Sequence, residues 1–217
     1  MKQQYAIYGC GGFGREVLPL LPAKNASTIF VSDTALDVGT KVNGVPVVSF
    51  QDLITHYRQH EVVVAVGEAH HRRNIVAKCK NAGLSIGSVF AASMRRLDNV
   101  TIGSGAIFCD FTIATANVII GEQFHANIYS YVAHDCKIGD FVTLAPRVCI
   151  NGNTIVEDDV YIGTGAVLKQ GTHDKPLVIG RGAFIGMGAV VTKDVPPGAI
   201  VVGNPARMSG MRKGYEE

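Results

Sequence analysis

From Ile102 onward, every sixth residue is apolar: Ile102, Phe108, Ala114, Ile120, Ala126, Val132, Ile138, Leu144, Ile150, Val156, Ile162 and Leu168. Four residues after each of the first eleven stands a mostly small or β-branched residue, from Ala106, Thr112 and Val118 to Val160 and Ala166; only Phe124 is bulky. An α-helix repeats at about 3.6 residues and an ordinary strand at 2, so a sustained period of six fits neither. It predicts a parallel β-helix, each hexapeptide being one short strand and a turn with the apolar position facing inward. In the left-handed form three hexapeptides close one triangular coil, and Gly103, Gly121 and Gly139 recur at that spacing, as turn residues would. The register breaks over Lys169 to Val178 and resumes at Ile179, Ile185 and Val191, displaced by one residue. Residues 170–176, Gln-Gly-Thr-His-Asp-Lys-Pro, are therefore expected as an outward loop. A solenoid exposes its ends, and the tail from Asn204 to Glu217 is the expected cap of one of them.

The pattern before the repeats is different. Tyr5 to Tyr8 reads as a strand, followed by Gly9-Cys10-Gly11-Gly12-Phe13-Gly14 and a helix-like segment from Arg15 to Leu21 that stops at Pro22. A second strand, Thr28 to Val31, leads to Asp33; Val62 to Val66 is a further buried strand, and Glu68 to Asn81 a helix closed by Gly83. This is a βαβ pattern, which predicts a small Rossmann-like parallel sheet with helices on its faces. The GxGxxG spacing lets backbone amides approach a phosphate, although the same glycines could merely turn the chain. Fewer than about 95 residues precede the repeats, too few for the two mononucleotide halves of a redox domain. The expected organisation is an α/β domain over 1–90, an all-β left-handed β-helix over 91–203 and a tail over 204–217.

Composition narrows the function. With 20 basic and 18 acidic residues in 217, no net charge draws the chain to nucleic acid or an anionic membrane. No apolar run reaches the roughly 18 residues of a membrane span. Five scattered cysteines without a CxxC pair fit a reducing cytoplasm better than zinc or disulfide chemistry.

The sharpest chemical candidate is His134, two residues after inward-facing Val132, with Asp135 beside it. An imidazole is able to take a proton from an amine or hydroxyl at neutral pH if a neighbour fixes its tautomer, and Asp135 is that neighbour. A turn also favours Asp for structural reasons alone. Cys136 occupies an inward position and reads as a core residue.

The repeats, the run His134-Asp135-Cys136-Lys137-Ile138-Gly139-Asp140 and the run Val202-Gly203-Asn204-Pro205-Ala206-Arg207 resemble hexapeptide acyltransferases, specifically the sugar O- or N-acetyltransferases typified by sialic acid O-acetyltransferase and bacillosamine-pathway enzymes. The resemblance implies acetyl-CoA as co-substrate with no metal, a nucleotide-activated amino sugar as acceptor, a homotrimer, and direct transfer with His134 as base. It implies substrate contacts from Gly11, Gly12, Phe13, Gly14, Ser32, Asp33, Gly67 and Asn127. Coenzyme A contacts would come from Thr143, Gly152, Thr164, Met187, Lys193 and Arg207. The chain departs from the family at Phe13, where histidine is common, at Ser32-Asp33, where two acids are common, and at Thr143, where a second histidine is common. O-acetylation of a sugar such as a sialic acid, a zinc enzyme using His125, His134 and His173, and a non-catalytic nucleotide-binding scaffold are the alternatives. His125 is expected at the surface.

Overall fold

A computed structural model describes residues 3–21 and 27–214, so Pro22 and the last three residues of the tail lie outside the described residues. The chain divides into two compact units between Phe90 and Ala91.

The first unit contains β1 (Tyr5–Tyr8), α1 (Gly12–Val17), β2 (Ile29–Val31), β3 (Lys41–Val42), β4 (Val45–Val48), α2 (Phe50–His56), β5 (Glu61–Val64) and α3 (Ala69–Asn81). Helix α1 starts earlier than the sequence suggests and tightens into a 3-10 turn at Leu18–Leu20, where Pro19 supplies no amide. The sheet order is β3-β4-β2-β1-β5, parallel except for the β3–β4 hairpin. Asn43 and Gly44 both take positive φ in that hairpin turn, as a tight two-residue connection requires. Every residue of β1 and β2 is buried, the condition of strands covered on both faces. Ser49 caps α2 in a reciprocal box with Asp52, and the Glu68 carboxylate caps α3 through the amides of His70 and His71. Because β1 has β2 on one side and β5 on the other, the loops after β1 and β5 meet at a topological switch point, where open parallel sheets leave a crevice.

The second unit is a left-handed parallel β-helix with three faces. The first face stacks Arg95–Arg96, Ile113–Ala114, Tyr131–Val132, Cys149–Ile150, Val167–Leu168 and Val190–Val191; the second stacks Val100–Ile102, Val118–Ile120, Lys137–Ile138, Thr154–Val156 and Leu177–Ile179. The third includes Ile107–Phe108, His125–Ala126, Thr143–Leu144, Tyr161–Ile162, Phe184–Ile185 and Ala199–Val202. Partners are 18 residues apart, as in Tyr131 and Cys149, until the loop. There Val167 pairs with Val190, 23 residues on, so the loop inserts five residues (23 − 18), one short of a hexapeptide. That deficit is the one-residue shift seen in the sequence.

Eleven of the twelve residues in the apolar register are buried, Ile102 being half-buried, and all eleven residues four positions later are buried too. The turns correct one expectation. Positive φ recurs every six residues at Asn99, Gly105, Phe111, Asn117, Gln123, Tyr129, Asp135, Phe141, Arg147, Asn153, Asp159 and Gly165, not at Gly103, Gly121 or Gly139. Those glycines stand two residues earlier, where the next coil passes closely: a Cβ on Gly103 would lie 2.6 Å from the carbonyl carbon of Gly121. Stacking, not turn conformation, excludes side chains there. At the C-terminal end of the stack, Ala199–Val202 pairs antiparallel with Arg207–Met211.

Candidate active site

In the first unit Ser32 and Asp33 help line a cavity of about 460 Å³ together with Ala35, Val38, Ser49, Phe50 and Gln51. The Asp33 carboxylate accepts from Tyr8 Oη and from Lys78 Nζ, both at 2.7 Å, and Lys78 Nζ also lies 4.1 Å from the centroid of the Phe50 ring. Burial alone would raise the Asp33 carboxyl, but the hydrogen bonds from Lys78 and Tyr8 hold it below its ordinary value. One wall of the cavity thus holds the Asp33 carboxylate, ion-paired with Lys78, beside the Phe50 ring. Gly11, Gly12, Phe13, Gly14 and Gly67 are not among its lining residues; they sit in the loops after β1 and β5 and at the start of α1. Gly14 is required by packing, because a Cβ there would run into the Gly9 carbonyl oxygen.

In the second unit, the edge between the first and second faces carries His134. The strand Tyr131–Val132 ends at Ala133, and the turn that follows holds Asp135 at φ 57°, a left-handed conformation that Asp tolerates. His134 Nδ1 lies 2.7 Å from Asp135 Oδ2, and both side chains are about half exposed, 47% and 45%. The bond with His134, reinforced by one from Asn117, holds the Asp135 carboxyl below its ordinary value. An ionised carboxylate only accepts, so Nδ1 carries the proton, and in the neutral ring the lone pair is on Nε2.

One coil on stands Gly152. A Cβ there would lie 2.5 Å from His134 Nε2 and 2.9 Å from Nδ1, so the ring fits only over a glycine. The equivalent amides on the next edge, those of Glu122 and Asp140, are bound by the carboxylates of Asp140 and Asp158 from the coil above, at 2.7 and 2.8 Å. Above Gly152, 18 residues on, comes Gln170, and no hydrogen bond from its side chain to the Gly152 amide occurs among the described residues. The Gly152 amide makes no backbone hydrogen bond among the described residues, and Gly152 lies directly against the His134 ring. Cys136 is fully buried, its Sγ 3.3 Å from the Asn151 carbonyl oxygen, and burial pushes its thiol up to about 11. It is no nucleophile.

The remaining candidates do not gather at one point. Lys193 shares the His134 edge and, with Lys169, Lys175 and the loop residues Gln170 to Thr172, lines a cavity of about 590 Å³. Asn127, Thr164 and Met187 lie on the edge between the third and first faces, Asn127 half-buried with Nδ2 3.3 Å from the Leu144 carbonyl oxygen, Met187 79% exposed. Thr143 is on the third face and buried, and Arg207 is exposed in the antiparallel strand. His125 is not at the surface as expected: it lies in the third face and is fully buried. His173 pairs with Asp174 in the exposed loop, and no group of three His, Cys, Asp or Glu able to hold a metal occurs among the described residues.

Residues 4–79 match the PglD N-terminal domain, and residues 135–170 match the bacterial transferase hexapeptide (six repeats). Over 211 residues, 94% of the chain and 95% of the relative, the sequence is 44% identical to a GDP-perosamine N-acetyltransferase of Escherichia coli O157:H7. The chain belongs to the hexapeptide-repeat sugar acetyltransferases. Two solved structures extend the likeness to nearly the whole molecule. WeeI from Acinetobacter baumannii AYE is 48% identical with a TM-score of 0.91, covering 95% of this chain and 100% of its own. PerB from Caulobacter crescentus, solved in complex with CoA and GDP-perosamine, is 26% identical with a TM-score of 0.85, covering 95% and 97%. As a hexapeptide-repeat sugar acetyltransferase, the protein is an acyltransferase.

Sequence reasoning missed four residues of this acetyltransferase: Tyr8 and Lys78 around Asp33, and Lys169 and Lys175 beside Lys193. The loop lysines were accessible in principle, since a five-residue insertion must fold back beside the following coil. Lys78 was not, because its contact with Asp33 spans 45 residues without any periodic signal.

Proposed function

We propose that the protein transfers the acetyl group of acetyl-CoA to the amine of a nucleotide-linked amino sugar, a GDP-linked 4-amino-4,6-dideoxy sugar being the first candidate. The observation that carries the reading is the His134–Asp135 pair set over the open amide of Gly152. The relatives that act on or bind GDP-perosamine support the acceptor class. In the reaction, His134 Nε2 takes a proton from the amine as its nitrogen attacks the thioester carbonyl. The new C–N bond forms, and the oxygen gains negative charge facing the Gly152 N–H. The C–S bond then breaks, and the imidazolium returns the proton to the departing thiolate. No acyl-enzyme is involved, since the nearby thiol of Cys136 is buried and neutral.

The remaining roles are those the family resemblance implies. Ser32 and Asp33 would hold the base or ribose, and Gly11, Gly12, Phe13, Gly14 and Gly67, at the switch point, the diphosphate. Lys193, joined by Lys169 and Lys175, would meet the phosphates of coenzyme A, with Thr143, Thr164, Met187 and Arg207 along its path and Asn127 against the sugar. Because His134 and Lys193 lie on one edge of the prism and Asn127, Thr164 and Met187 on another, the reading requires a homotrimer in which one edge of each copy faces the other edge of its neighbour. The test is His134→Ala assayed with GDP-, UDP- and dTDP-linked amino sugars and acetyl-CoA, with product mass as readout. The expected result is a loss of about 10²–10⁴ in kcat with coenzyme A affinity kept; near-native turnover would overturn the assignment.

A further inference from the structure

The edge that carries His134 differs from the other two in its left-handed positions. On the third edge these are filled by Phe111, Tyr129, Arg147 and Gly165, and on the second by Gly105, Gln123, Phe141 and Asp159. On the His134 edge the run is Asn99, Asn117, Asp135 and Asn153, at φ 51°, 55°, 57° and 53°. The conformation alone does not demand this choice, since aromatic residues and an arginine adopt it elsewhere in the same solenoid. Hydrogen bonding explains it. Asn99 Nδ2 donates to Asn117 Oδ1 at 2.9 Å, Asn117 Nδ2 donates to Asp135 Oδ1 at 3.1 Å, and Asp135 Oδ2 meets His134 Nδ1 at 2.7 Å. The direction of the chain is dictated at its end. A carboxylate accepts only, so Asn117 must turn its amide nitrogen toward Asp135, which leaves its oxygen to accept from Asn99.

We infer that Asn117, itself oriented by Asn99, is a positioning residue for acyl transfer that fixes the Asp135 carboxylate on His134. The inference rests on His134 being the base. Asp135 is about half exposed, and a carboxylate free on that side exchanges His134 for water by rotating about its last side-chain bond. Held at Oδ1 from the coil below, it keeps Oδ2 on Nδ1, and the ring keeps its lone pair on Nε2. Of the other charged and titratable groups, His173, from the inserted loop and itself paired with Asp174, acts on Asp135 through its charge, Asp98 lies in the row of His134 two coils below, and the buried thiol of Cys136 is neutral.

Two substitutions separate this role from a merely structural one, since each suits positive φ. Asn117→Gly removes the carboxamide, and Asn117→Asp keeps its shape while setting a second carboxylate against the first. With Asn117→Gly, kcat is expected to fall roughly tenfold while both KM values stay within about twofold. With Asn117→Asp, the added negative charge favours the imidazolium, so the acid limb of the kcat profile moves to higher pH and activity is lost more at pH 6.5 than at pH 8.5. Asn99→Ala should give a smaller loss in the same direction. Wild-type kcat and an unmoved acid limb in both Asn117 variants, alongside an inactive His134→Ala, would overturn the inference alone; an active His134→Ala would instead remove the reading beneath it.

Discussion

At the scale of single residues, the site depends on how little room it leaves. Gly152→Ala should push the His134 ring off its position, because the new methyl would overlap Nε2; kcat should drop by about 10²-fold with the melting temperature close to wild type. Asp33 supports a prediction about stability. Its folded pKa is depressed, so the stabilisation it contributes is present above its ordinary value near 3.8 and disappears as pH falls through the folded value. Asp33→Asn should therefore lower the melting temperature at pH 7, and by less at pH 3, below the ordinary value. Its pair with Lys78 is roughly half exposed, 48% and 40%, so the loss at pH 7 should be no more than about 1 kcal/mol. Thermal melts of the two proteins at both pH values check this.

Among the elements, the coils are held by inward rows with almost no spare volume. Phe124 is the one bulky residue in the smaller row, fully buried with its ring centroid 5.2 Å from that of Phe108. Phe124→Ala should cost about 3–5 kcal/mol, read by denaturant unfolding, because the stacked coils on either side prevent collapse of the cavity. This inward row is also what made the solenoid legible: a side chain that must point inward every sixth residue leaves an apolar mark every sixth residue, and the five-residue loop shows as a slip in that mark. Outward positions leave no such mark. His125 reads as outward in register yet is buried, and Gly103, Gly121 and Gly139 read as turns although the close passage of the next coil explains them. The His134–Asp135 pair was legible because its partners are adjacent in the chain. The Asn99–Asn117–Asp135 run was written at a spacing of 18, and only the folded coil turns that spacing into contact.

For the molecule as a whole, the decisive feature is the division of candidate residues between two edges. If neighbouring copies bring those edges together, His134→Ala and Asn127→Ala chains refolded as a mixture should regain activity, because some clefts pair an intact edge from each. Random mixing of trimers predicts up to about a quarter of wild-type turnover. If both edges served one chain, no cleft would be intact and the mixture would stay as inactive as its parts.

The reversed strand Arg207–Met211 governs another property. Each earlier rung of the third face offers its outer side to a strand running the same way, which is how the stack grows; this one offers a ladder of opposite sense, with a slip in pairing between Ile200 and Val201. It acts as a stopper. A chain cut after Gly203 should present Ala199–Val202 as a bare template and polymerise end to end, visible as rising light scattering at concentrations where the full chain stays clear.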